Sequence, residues 1–323
     1  MAATPSRRAA WLALLLMALM ALMVLAGCAS IARPDDGAGL PPARAERVEL
    51  ADVPFFPQEE YQCGPAALAT VLQSAGIART PAQLVDQVYL PQRQGSLQVE
   101  LLGASRRAGA VPYVLRMSPH DLLREVAAGH PVVVLQDVGW PLLPRWHYAV
   151  VVGYDLHQGT LTLRSGTIHR MVMPLAAFDR TWAKAERWAF VALPPGRLPA
   201  TARESDYVAA AAAFERVAPA LGPLAYQAAL AAWPGNLFAR LALGNAAYRQ
   251  RQLESARMQY RQATVDHPDA GDAWNNLAQV LFDLGEIQEA AHAARRAVAI
   301  GGPRLDRYAA TLGAIEATGS SAR

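Results

Sequence analysis

Cysteine is scarce in this 323-residue sequence, which holds only Cys28 and Cys63. Metal-ligand spacing, a phosphate-binding loop and a dinucleotide fingerprint are all missing, so no metal and no cofactor are expected. An excess of one charge is missing too. Thirty Lys and Arg face 27 Asp and Glu, a formal charge of +3. Residues 1–28 carry Arg7 and Arg8 and no acid, so without them the balance is 28 against 27, or +1. That near-neutrality gives no support for a nucleic-acid partner. Long apolar runs are absent except for Trp11 to Ala26, which is short of the ~20 residues a spanning helix needs.

What is present at the N-terminus is a basic start, that apolar stretch, and the close Leu25-Ala26-Gly27-Cys28. The pattern is that of a secretory signal over residues 1–27; an uncleaved anchor is the alternative, with a marginal span. The closing tetrapeptide resembles a bacterial lipobox, which implies lipidation of Cys28 and attachment to the membrane by more than one acyl chain. No aspartate follows Cys28, and resemblance to Gram-negative lipoproteins points to the outer membrane, facing the periplasm. Residues 28–47, with Arg33-Pro34-Asp35-Asp36-Gly37 and Leu40-Pro41-Pro42, read as a tether.

With Cys28 lipidated, Cys63 has no intramolecular partner, and an unpaired thiol in an oxidising compartment suggests reactivity. The run Cys63-Gly64-Pro65-Ala66-Ala67-Leu68 predicts a helix start: proline suits a first helical position, apolar residues continue at helical spacing, and Gly76 ends it. Cys63 is thus expected at the positive end of a helix dipole, where thiol pKa falls. Further helices are expected over Pro81–Val88, entered through Thr80, over 97–108, and over 118–128 with Ser118 as cap. Strands are expected at 111–115, 131–135, 147–154 and 160–164, the last two joined by a turn at 156–159. Helices first and an antiparallel sheet later make an α+β order.

From Leu237 onward a 34-residue period appears. Leu243, Gly244, Ala256, Tyr260, Ala263 and Pro268 are answered by Leu277, Ala278, Ala290, Ala294, Ala297 and Gly302. That small/large pattern matches the tetratricopeptide repeat, with clear copies at about 237–270 and 271–304. A degenerate earlier copy starts near Arg203, and Leu305 to Glu316 caps the array. Repeats of this kind imply a protein partner.

A thiol nucleophile needs a base beside it, and histidine serves. Of seven histidines, His120, His130, His157, His267 and His292 read as surface residues; His169 is less easily dismissed. His147 alone heads an apolar β-run and is the candidate base. Asp155 ends the same strand, eight residues on, so at ~3.3 Å per residue it lies some 26 Å away. The hairpin turn instead brings residues 165–168 opposite His147, making Ser165 the candidate orienter, with Thr167 behind it; a backbone carbonyl or a water are the alternatives. Trp140 and Trp146 flank the loop before His147, either walling a cleft or packing the loop down.

Gln58, Cys63-Gly64-Pro65-Ala66-Ala67-Leu68 and His147-Tyr148-Ala149-Val150-Val151-Val152-Gly153-Tyr154-Asp155 resemble the bacteriocin-processing, papain-like cysteine peptidases that cut after double glycine. The resemblance covers about residues 50–170. It implies Cys63 as nucleophile, His147 as base, and Gln58 with the Cys63 backbone N–H as oxyanion donors. The Gln58–Cys63 spacing is one residue short of the family's usual, which leaves Gln62 as a substitute. The family's aspartate after the histidine strand is replaced by Leu163-Arg164-Ser165-Gly166.

The expected architecture is therefore an α+β papain-like cysteine peptidase domain over 48–195, a linker at 196–202, and an all-α tetratricopeptide-repeat domain over 203–323. The expected function is a membrane-anchored periplasmic cysteine peptidase acting on a peptide or protein substrate, its repeats recruiting a partner. A papain-like amidase or acyltransferase, and a peptide-binding scaffold without activity, are the alternatives.

Overall fold

The computed structural model describes residues 45–57, 62–140 and 142–321; Cys28, Gln58 and nearly all of the 28–47 tether lie outside them. Strand β1 (Arg47–Glu49) is followed by helices α1 (Cys63–Ser74), α2 (Pro81–Val88) and α3 (Gln98–Ala108). Local chemistry sets their ends. Thr80 forms a capping box with Gln83 at α2. Gly109 closes α3 in the left-handed region. Helix α1 starts at Cys63 itself, so Pro65 stands at its third position and not its first.

Strand β2 (Val111–Val114), helix α4 (Pro119–Ala127), strands β3 (Val132–Asp137), β4 (Trp146–Asp155), β5 (Thr160–Ser165) and β6 (Ile168–Pro174), helix α5 (Leu175–Ala183) and strand β7 (Ala189–Leu193) complete the α+β part. The sheet order is β2-β7-β3-β4-β5-β6, with β1 on β4. Its pairings are antiparallel. On β4, residues 149–154 are all buried, because α1 covers one face and α4 the other. That explains a continuous apolar run where a one-sided strand would alternate. Leu68, Val71 and Leu72 of α1 pack on Tyr148, Val150 and Val152 of β4. Each fully buried leucine there contributes about 2 kcal/mol.

Helices α6 (Glu204–Glu215), α7 (Gly222–Ala232), α8 (Leu237–Arg249), α9 (Leu253–Asp266), α10 (Gly271–Asp283), α11 (Ile287–Ile300) and α12 (Leu305–Ser321) form the second part. The pairs α8/α9 and α10/α11 are the two expected repeats, α6/α7 is the degenerate copy, and α12 packs on α11 and α10. Small residues at fixed places let large ones in: a Cβ on Gly244 would sit 2.4 Å from the ring of buried Tyr260.

The segment expected as a linker is fastened to the sheet domain. Glu125, fully buried on α4, accepts from the Thr201 hydroxyl (2.6 Å), the Thr201 N–H (2.7 Å) and the Ala200 N–H (3.1 Å). His130, read from sequence as a surface residue, is buried and hydrogen-bonds the same carboxylate at 2.7 Å. Burial pushes the Glu125 carboxyl up, but the His130 and Thr201 hydrogen bonds outweigh it and hold the pKa low. Residues 45 and 46 are likewise tied down: Tyr154 Oη donates to the Ala45 carbonyl and Leu156 N–H to that of Glu46.

Candidate active site

The first turn of α1 opens on a cleft of about 1300 Å³ lined by Cys63, His147, Tyr148 and Ser165. The helical lobe supplies one wall, including Arg93 to Gln98. The sheet supplies the other, from residues 144–148 and the β5–β6 turn. Gly64 lets the Arg93–Gln98 segment pack closely against the first turn of α1. A Cβ there would lie 2.3 Å from Ser96 Oγ and 2.6 Å from Ser96 Cβ. Tyr148 then ties the lobes together, its hydroxyl donating to the Ser96 carbonyl at 3.2 Å.

His147 Nε2 lies 2.9 Å from Ser165 Oγ. The β4–β5 register pairs Val150 with Arg164, so Ser165 reaches the end of β5 beside the histidine. Ser165 is nearly fully buried, while its neighbour Arg164 turns away to donate to the carbonyls of Val53, Ala51 and His169. Thr167 lines the cleft in the following turn. Asp155 stands at the far end of β4, accepting from the Gln158 N–H and facing Arg47 at 3.8 Å. It has no part in the site.

The electrostatics differ from the sequence expectation in one respect. Burial pushes the Cys63 thiol up; the backbone N–H groups of Tyr148, Gly64 and Cys63 pull it down, as a helix start should, without prevailing. Burial, helped by the positive charge of Arg145, lowers His147 to about 4. Both shifts favour the uncharged forms at neutral pH, a thiol at Cys63 and a neutral imidazole at His147.

Other sequence candidates fall elsewhere. His169 packs its ring edge-on against Phe55, outside the cleft lining. His157 is exposed and faces Glu46. Trp146 lines the cleft, whereas Trp140 projects into solvent at 80% exposure. Among the described residues no group of His, Cys, Asp and Glu could hold a metal. Two site features were missed from sequence: the Ser96 wall, whose signal was Gly95-Ser96 before a helix, and Arg145, hidden in the loop ahead of His147.

Residues 50–189 match the Peptidase_C39 like family, and residues 241–304 match the tetratricopeptide repeat. The chain carries a C39-like peptidase domain followed by tetratricopeptide repeats. No curated protein matches the chain. Among solved structures, a C39-like peptidase from Bacillus anthracis is similar at 19% identity and TM-score 0.39, covering 46% of this chain and 98% of that one. The peptidase domain of Streptococcus ComA, a bifunctional ABC transporter, is similar at 21% identity and TM-score 0.37, covering 44% and 98%. The Yersinia enterocolitica type III secretion chaperone SycD is similar at 18% identity and TM-score 0.34, covering 36% and 85%. The C39-like domain thus contains Cys63, His147 and Ser165, and the repeats follow it.

Proposed function

We propose that the C39-like domain is a cysteine peptidase, held by a lipid on Cys28 at the periplasmic face of the outer membrane, whose repeats recruit a protein substrate or partner. The observation that carries the chemistry is the 2.9 Å contact of His147 Nε2 with Ser165 Oγ in the cleft that Cys63 opens. With Nε2–H donating to Ser165, Nδ1 is left unprotonated to take the thiol proton. Cys63 Sγ then attacks the peptide carbonyl carbon. The Cys63 N–H stabilises the developing oxyanion, with the Gln58 amide assigned as second donor. His147 returns the proton to the leaving amine, and water cleaves the thioester to regenerate the thiol. Ser165 orients the imidazole but brings no negative charge to the imidazolium, so turnover is slower than with a carboxylate there.

That same serine, with a histidine lowered to about 4, favours a second reading, in which the cleft binds peptides without cutting them. A peptide library incubated with the protein and analysed by mass spectrometry separates the two. The peptidase reading expects cleavage that disappears in Cys63→Ala and His147→Ala; persistence in Cys63→Ala removes the nucleophile assignment, and no cleavage by either protein favours the scaffold. Replacing Cys28 is expected to release the protein from the membrane fraction, and continued attachment would contradict the lipid anchor.

A further inference from the structure

The cleft is unequally charged. Arg93 lines it from the helical lobe, and Arg145 and Lys184 line it from the sheet lobe, against one described acid, Glu186. Lys184 is already engaged, donating to the Gly139 carbonyl at 3.3 Å and facing Asp137 at 3.8 Å. Arg93 and Arg145 have no ion-pair partner among the described residues, and both are exposed. The Arg145 backbone is fixed, its N–H held 2.9 Å from an Asp137 carboxylate oxygen. That bond sets where the side chain leaves the loop, one residue from Trp146 and two from His147.

A cation at this position, with no ion-pair partner among the described residues, works against the reaction. It opposes protonation of His147, yet His147 must carry a proton part-way through each turnover. An anion arriving with the substrate removes that penalty and gains a charge-assisted contact with a planar guanidinium, which suits carboxylates. Resting on the peptidase reading above, we propose that Arg145 and Arg93 bind a carboxylate of the substrate peptide close to the bond that Cys63 attacks. The carboxylate belongs either to an internal Asp or Glu side chain or to a free C-terminus. Trp146 and Ile168, which line the same cleft, accept an apolar neighbour.

Two alkylating reagents test this without a known substrate. Iodoacetate carries a carboxylate and iodoacetamide does not, so the ratio of their rates at Cys63, read by mass spectrometry of its peptide, cancels changes in thiol ionisation. In the full-length protein the ratio is expected to exceed that of a free cysteine peptide. It should fall about three- to tenfold in Arg145→Gln, further when Arg93→Gln is added, and also at high salt. A ratio equal to the reference, or unmoved by both substitutions, overturns the proposal. Calorimetry with two peptides identifies the source: one N-acetylated and C-amidated with an internal Glu, the other free of acidic side chains but ending in a carboxylate. Binding of one that is weakened in Arg145→Gln supports that source; equal binding of both peptides and of an uncharged control contradicts the site. A Cys63 that neither reagent modifies contradicts the peptidase reading, while the calorimetry still decides whether the cleft takes a carboxylate.

Discussion

In the repeats, small residues make room for large ones between neighbouring helices: Ala256, Ala278, Ala290 and Ala294 share one core with Tyr260, Leu277 and Leu281. In the C39-like domain, valine, leucine and aromatic residues from distant segments form the core, and charged or polar groups are enclosed with them. Among the described residues, all the buried polar side chains except Thr264 and Asn275 precede residue 202. The repeats therefore depend on small residues at fixed intervals. The sheet domain encloses polar groups, of which Gln136 and Ser165 line its cleft and Glu125, His130 and Thr201 form its seam with the helices. The cleft and the seam both lie where polar burial is.

The largest break in this contrast is expected at Glu125. Replacing it by alanine strands the Thr201 and Ala200 donors and His130, and should destabilise the chain by about 3 kcal/mol in urea unfolding. A loss no larger than that of a surface pair would show the seam to be incidental. In the repeats the sensitive point is steric. Gly244→Ala should cost about 1–3 kcal/mol by forcing Tyr260 aside, while Ala278→Gly, at the same place in the next repeat, should cost about 1–2 kcal/mol from helix propensity and the loss of a buried methyl. Unchanged stability in Gly244→Ala would show that Tyr260 is not held against that glycine.

How much of this was legible in the sequence follows the same division. The repeat helices were readable because each contact recurs one period away, so a single chain carries its own comparison. The Cys63 helix and the His147 strand were readable from local punctuation and apolar runs. Ser165 was found by counting along a hairpin. The seam was not readable: Glu125, His130 and Thr201 are spread over 76 positions, and nothing local to Gly129-His130-Pro131 shows that its ring is enclosed. Strands β6 and β7 and helix α5 were also unread, since β7 inserts between β2 and β3, far from both in sequence. The thiol pKa was misjudged for a related reason. A helix start is visible locally, whereas the burial that opposes it comes from packing against a core that includes Tyr148 of β4.

Two smaller effects sharpen the site itself. Ser165→Ala should slow Cys63 alkylation by iodoacetamide about tenfold by leaving a buried His147 N–H without an acceptor. Ser165→Asp should raise the histidine pKa and speed alkylation at neutral pH; no change in either variant would separate Ser165 from the chemistry. His147 also leaves a mark on stability. Its folded pKa, about 4, lies below the 6.5 of an ordinary histidine, so the unfolded chain binds the extra proton between those values. Its contribution is complete above about pH 6.5 and is lost as pH falls toward 4. The melting temperature of wild type should thus drop more steeply over that window than that of His147→Gln, and parallel curves would contradict the lowered pKa. The smallest effect belongs to the exposed Arg261–Glu289 pair, where Arg261→Ala should cost at most about 0.5 kcal/mol.

The most direct test of the account is the rate of Cys63 alkylation by iodoacetamide against pH, in wild type and His147→Ala. A working pair predicts that wild type rises on a limb near the histidine's pKa of about 4 and holds a plateau through neutral pH. In His147→Ala the plateau should vanish, leaving only the rise of an isolated buried thiol above ~8.5. Two superimposable curves would contradict the Cys63–His147 pair, and with it the peptidase.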